Sequence, residues 1–198
     1  METVPLFDLT GTPVLAPAPA VVVEPVAAAP APPPKAKPLF EVIVRGLPAP
    51  QGSKRHVGGG RMIESSKNVT PWRGSVTTYA VQARQRRRGF VKLTEPLIAD
   101  MVFAFDRPKG HFGTGRNAGK LRPSAPRRPH GVPDLSKLVR STEDALKTAG
   151  IYQDDALIVA FGQVGKWFTT DHGTVPDVLD SPGCLIRLWP AESSAVSG

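Results

Sequence analysis

The sequence predicts an α+β fold: a single domain with one mixed β-sheet and two main helices, preceded by a disordered Pro/Ala-rich head. Three observations carry that expectation. Apolar residues recur at helical spacing in two stretches, one beginning near Thr70 and the other near Asp134. Several runs rich in β-branched and aromatic residues read as strands. Finally, the order strands, helix, long strand, loop, helix, strand, strand lacks the strict alternation of a doubly wound sheet.

Residues 11–38 hold nine Pro, eight Ala and five Val. Pro fixes φ and removes a donor, and Ala offers little to bury, so residues 1–38 are expected to form an extended, solvated tail. Its apolar tip, Val4 to Leu9, is either a ligand for a protein partner or an unstructured start. Order is expected over residues 39–190, with a frayed tail over 191–198.

Phe40 to Arg45 reads as a strand, ended by Gly46, Pro48 and Pro50. Gln51 to His56 reads as a basic turn, and Arg61 to Ser65 as the return strand of a hairpin. Lys54 and Arg55 either meet a phosphate or are merely solvated. Thr70 and Pro71 look like the cap and first residue of a helix. Trp72, Val76, Tyr79, Ala80 and Ala83 share one face of it. The helix ends in Arg84, Arg86, Arg87 and Arg88; its macrodipole accounts for one or two of these cations, four suggest an added electrostatic role, and a solvated helix end is the default reading.

Val91 to Phe105 reads as a long interior strand, apolar on both faces, with a turn allowed at Glu95-Pro96. Arg107 to Arg128 carries seven Lys or Arg, no acid and no apolar period, and is read as a flexible cationic arm for phosphates. A helix over 134–149 follows, with Asp134 as N-cap candidate behind Pro133 and Gly150 at the C-terminal end. Ala156 to Phe161 is expected to be a buried strand continuing to Phe168, and Cys184 to Trp189 the last strand.

The net charge of +8 points to a polyanionic partner, most often nucleic acid. One cysteine excludes an internal disulfide and a cysteine zinc cluster, which suits a reducing cytoplasm. No signal peptide, membrane span or membrane partner is expected.

The 134–155 segment holds the chemistry. Asp134 and Asp155 offer the hard oxygens that suit Mg²⁺ or Mn²⁺. Arg140 and Lys137, on the polar face of the helix, are placed to meet a phosphate. Blander readings stand beside these. Asp134 would be only an N-cap, Arg140 and Asp144 a surface ion pair, and Asp154-Asp155 the shape of a turn.

The run Pro133-Asp134-Leu135-Ser136-Lys137-Leu138-Val139-Arg140, followed by Asp144-Ala145-Leu146, Ala149-Gly150 and Asp154-Asp155-Ala156, resembles the RusA family of Holliday-junction resolvases, particularly its phage members. The resemblance is strong over 133–159. It extends weakly to Pro48 through Arg55 and to Trp72-Arg73, and leaves out 1–38. It implies a RusA-like α+β homodimer in the bacterial cytoplasm that cuts branched DNA with Mg²⁺ in recombination and repair. Asp134 matches the first acid of the family's Asp-x-Asp, Asp155 its distal acid, and Arg140 its helper cation. Asp134, Asp155 and Arg140 are then the catalytic candidates. Ser136 stands where the family has the second acid, and a hydroxyl is a weak ligand. The metal candidates are thus Asp134, Asp155, Ser136 and Asp154. Lys137, Arg140, Lys54, Arg55, Arg73, Arg127 and Arg128 are the DNA-binding candidates. The departure at Ser136 keeps a second reading open: a junction-binding protein with weak or no cleavage. A generic RNA-binding module fits less well, for want of paired exposed aromatics.

A helix over 135–149 is about 21 Å long. One ion cannot bridge its two ends. Either residues 150–155 run back along it, covering at most about 16–18 Å, or a second subunit supplies one acid.

Overall fold

A computed structural model of the chain describes residues 37–52, 54–56, 62–64 and 68–191. The expectations for the head, for its Val4–Leu9 tip and for the last residues of the tail fall outside these. In chain order the elements are β1 (Phe40–Arg45), β2 (Lys54–His56), β3 (Met62–Glu64), α1 (Val69–Arg86), β4 (Leu97–Phe105), α2 (Leu135–Thr148), β5 (Ile158–Phe168) and β6 (Gly183–Pro190). Four strands form one mixed sheet in the order β1-β6-β4-β5. β6 runs antiparallel to β1 and β4, whereas β5 runs parallel to β4. A parallel pair needs a long crossover, and α2 lies on it. The α+β class, the mixed sheet and the two main helices are all present.

β4 is interior, and its alternation divides the core. Leu97, Ala99, Met101 and Phe103 pack with Trp72 and Val76 of α1 and with Leu138 and Leu146 of α2. Val102 and Ala104 pack on the opposite side with Trp167, Val178, Leu179 and Leu185. The helices meet through Trp72, whose indole N–H donates to Thr142 Oγ1 at 3.2 Å. The register slips between Ala99 and Met101, where β5 carries one extra residue and Gly162 and Gln163 stand opposite Asp100. Buried Asp100 fills that bulge, accepting the Gln163 N–H at 2.7 Å and the Trp189 indole N–H at 2.8 Å. Gly162 admits this carboxylate: a Cβ there would stand 2.3 Å from Asp100 Oδ1.

Several expectations need correction. α1 begins two residues early, with Asn68 in the cap position and Pro71 third in the helix. Pro is tolerated there because first-turn N–H groups have no intrahelical partner. The long strand starts at Leu97, not Val91; the residues before it make a single bridge, Leu93 to Tyr152. Lys54–His56 of the expected basic turn form a strand, β2, paired with β3. β5 is not a buried strand. It lies at the sheet edge, and Val159 is 61% and Phe161 45% exposed. Ala156 and Leu157 belong to a 3₁₀ turn before it.

The cationic segment 107–128 is held at both ends. Buried Arg107 donates to Thr170 Oγ1 and the Pro126 carbonyl, pairs with Asp171, and lies over the Phe168 ring at 3.9 Å. Arg128 lies over the Trp167 ring at 4.4 Å. Two 3₁₀ turns, Lys109–His111 and Gly115–Asn117, shape the stretch between.

Candidate functional site

α2 organises the site, and local chemistry sets both of its ends. Pro133 precedes the cap, and Lys166 Nζ fixes the approach by donating to the Gly131 and Pro133 carbonyls at 2.7 and 2.9 Å. At the other end Gly150, with φ +70°, reverses the chain. Its N–H bonds the Lys147 carbonyl, and the Ile151 N–H bonds the Leu146 carbonyl, which together satisfy carbonyls the helix leaves open. Leu138, Val139, Thr142, Ala145 and Leu146 are buried, so the polar stripe with Lys137 and Arg140 is left outside.

Asp134 occupies the N-cap position, but its side chain makes no cap hydrogen bond. Its carboxylate instead meets Lys137 Nζ at 3.0 Å and is 56% exposed. It lines a cavity with Leu47, Ala49, Phe105 and Val132. The capping explanation for Asp134 therefore fails. Ser136 is exposed on the first turn.

Asp154 and Asp155 follow the opposite end. Lys147, in the last turn of α2, donates to Asp154 at 2.6 Å and to Asp155 at 3.1 Å. Asp154 also accepts the Ala156 N–H at 3.0 Å, so it does shape the turn. Asp155 has no such duty among the described contacts. The Lys147 ammonium, helped by the Ala156 N–H, holds the Asp154 carboxyl down at about 2. Lys147 is in turn pushed up, first by Asp154 and then by Asp155. Nearby Glu143 is raised by burial and by the charges of Asp155 and Asp144, with Arg140 opposing. A second concentration of carboxylates thus gathers around Asp155. Tyr152, raised by burial, donates from its hydroxyl to the Glu143 carbonyl at 2.7 Å.

Arg140 is exposed and forms no ion pair among the described residues. Asp144 pairs with Arg73 at 3.7 Å rather than with Arg140. Arg127 is exposed, Arg128 stacks on Trp167, and the side chains of Lys54 and Arg55 lie outside the described residues.

One chain does not bring Asp134 and Asp155 together. The fourteen residues of α2 rise about 20 Å. Lys147 anchors Asp155 near the far end; even with every side chain extended the two carboxylates stay more than about 6 Å apart, too far for one ion. Residues 150–155 turn back only over the last turns of α2, where Tyr152 reaches the Glu143 carbonyl and Asp155 stays with Lys147. Among the described residues, no three His, Cys, Asp or Glu side chains converge to hold a metal ion. Asp134 and Asp155 of a single chain do not converge on one divalent cation.

Sequence reasoning missed Lys147 as the residue that holds both distal acids. Its only local signal was a cation in the last turn before an Asp-Asp pair. Asp100 was missed as well, since its partners are remote in sequence.

A family model described as "Endodeoxyribonuclease RusA" matches residues 45–175. The matched span covers both helices, β2 to β5, and every acid discussed above. No curated protein matches the chain. No helix among the described residues is long and apolar enough to cross a membrane. With two thirds of its length matched and an α+β fold that presents Asp134 and Asp155 at the two ends of one helix, the chain belongs to the RusA family of endodeoxyribonucleases, which resolve Holliday junctions.

Proposed function

We propose that the protein is a structure-selective endodeoxyribonuclease that resolves Holliday junctions and related branched DNA as a homodimer, with Mg²⁺, or Mn²⁺ in its place, as cofactor. The observation that carries this reading is the pair of exposed acids at opposite ends of α2, each held by a lysine.

A two-fold axis that sets two α2 helices antiparallel would place Asp134 of one subunit beside the partner subunit's Asp155. The exposed Val159 and Phe161 support such an interface. They lie on an edge strand that begins three residues after Asp155, and edge strands with apolar exposure favour pairing. In the assembled site Asp134 and Asp155 are the catalytic carboxylates. Ser136 and Asp154 flank them, and Glu143 and Asp144 are the carboxylates near Asp155 that make up for the hydroxyl at Ser136. Arg140 and Lys137 face the scissile phosphate. Lys54, Arg55, Arg73, Arg127 and Arg128 contact the backbone of the arms, so affinity falls steeply with salt.

Ser136 also favours a second reading, in which the protein binds junctions and cuts them weakly or not at all. Four-way junctions incubated with Mg²⁺, comparing wild type with Asp155→Asn, separate the two. Nicking by wild type alone supports the nuclease. Tight binding without nicking by wild type supports the binder.

A further inference from the structure

Apart from Arg140, the cations of the motif region are already engaged by acids. Lys137 is paired with Asp134, Arg73 with Asp144, Lys147 with Asp154 and Asp155, and Arg107 with Asp171. At the C-terminal end of α1 the situation reverses. The chain from Ser65 to Thr94 contains no Asp or Glu, and five cations fall between Arg84 and Lys92. A cavity of about 570 Å³ opens there, lined by Arg84, Arg87, Arg88, Phe90, Lys92 and Gly150, among others. No carboxylate lines it, and none of its cations forms an ion pair among the described residues.

Part of this charge has a structural task. Arg84 donates to the Ala149 carbonyl at 2.9 Å, at the end of α2, and Arg87 donates to the Leu39 carbonyl. Gly150 makes the first contact possible, since a Cβ there would stand 2.7 Å from Arg84 Nη1. Each helix C-terminus carries about half a negative charge, so two helix ends offset only about one of the five cations. The remainder is a net positive concavity with two of its arginines already fixed in place. It lies at the Asp154-Asp155 end of α2, since Arg84 binds Ala149 and Lys147 binds both acids.

We propose that this concavity binds the sugar-phosphate backbone of one duplex arm of the DNA, with Arg88 and Lys92 as its free phosphate contacts. The assignment rests on the nuclease reading for the identity of the polyanion, and on charge and shape for its place. Spaced cations without acids or paired aromatics suit a phosphate track rather than base stacking. Arg88 and Lys92 are exposed and make no described hydrogen bond, so their loss leaves the fold intact.

The test measures binding of the full chain to a four-way junction and to a linear duplex of the same sequence across a salt series, by fluorescence anisotropy. The double variant Arg88→Ala/Lys92→Ala is expected to bind both DNAs about tenfold more weakly. Its log Kd against log salt slope should flatten by about 1.8, for two lost phosphate contacts. Arg88→Lys/Lys92→Arg should retain wild-type affinity, which separates charge from folding. Unchanged affinity and slope in the alanine variant would overturn the proposal. So would a loss confined to the junction, which would give the pocket to the branch point instead of an arm. Nicking with Mg²⁺ is scored in parallel. A wild type that binds through these residues yet never nicks rejects the nuclease reading and leaves this pocket standing.

Discussion

If the two acids act together only across a dimer, two inactive variants should restore activity when mixed. Asp134→Asn and Asp155→Asn remove opposite ends of the arrangement. Mg²⁺ holds its oxygen ligands at about 2.1 Å, so two carboxylates on one ion approach within roughly 4 Å. The fourteen residues of α2 rise about 20 Å, and within one chain Asp155 is tied to Lys147 in the last turn, away from Asp134. Each variant alone should therefore lose more than about 100-fold in nicking, because losing groups that merely support a metal ligand already costs about 10–100-fold.

Mixing gives a result that a single-chain site cannot produce. Random reassortment of equal amounts makes about half of the dimers mixed. Each mixed dimer has one site with both acids and one with neither. The mixture should regain about one quarter of wild-type sites. The assay is single-strand nicking of a supercoiled plasmid that extrudes a cruciform, because one intact site suffices for one nick. Two differently tagged variants, denatured and refolded together, confirm by sequential capture that mixed dimers have formed. A mixture with proven heterodimers and no more nicking than either variant alone would refute the shared site.

Two further outcomes follow from the geometry. Ser136→Asp restores a carboxylate two residues from Asp134, and should tighten Mg²⁺ binding and raise nicking at limiting Mg²⁺; a Mg²⁺ titration that is unchanged or weaker would count against Asp134 as a ligand. Asp100→Ala leaves the Gln163 and Trp189 N–H groups without their acceptor. At about 1–3 kcal/mol per orphaned donor, unfolding in urea should show a loss of about 2–6 kcal/mol. A loss under about 1 kcal/mol would mean that the bulge closes without it.

What the sequence made legible was whatever local chemistry decides. Phe40–Arg45 was read with its observed ends, and α2 nearly so, because Pro133 and Gly150 act on the residues beside them. The start of α1 was misplaced because Asn68 and Thr70 both precede a plausible first turn, and Pro71 is acceptable at more than one of its positions. For β5, an apolar run marks a strand without saying whether a neighbour covers both sides. That depends on sheet order, which places β5 at the edge.

The site divides along the same line. The identity of the acids was visible as a motif, and their separation followed from helix length. Which cations remain free was hidden, because it depends on contacts far apart in sequence. Arg84 reaches a carbonyl 65 residues away and Arg87 one 48 residues away, while Lys137 is neutralised by a neighbour three positions back. Counting charges along the chain therefore put weight on the α2 stripe, whose lysines turn out to hold acids. The same count treated the arginines ending α1 mainly as helix-end charges, although the fold leaves more positive charge there than two dipoles can absorb. In a basic protein of this kind, the surface that meets DNA is set by subtraction. Cations the fold has not engaged, such as Arg140, Arg88 and Lys92, carry the largest share, and the paired ones contribute only as far as a phosphate competes with their present partners.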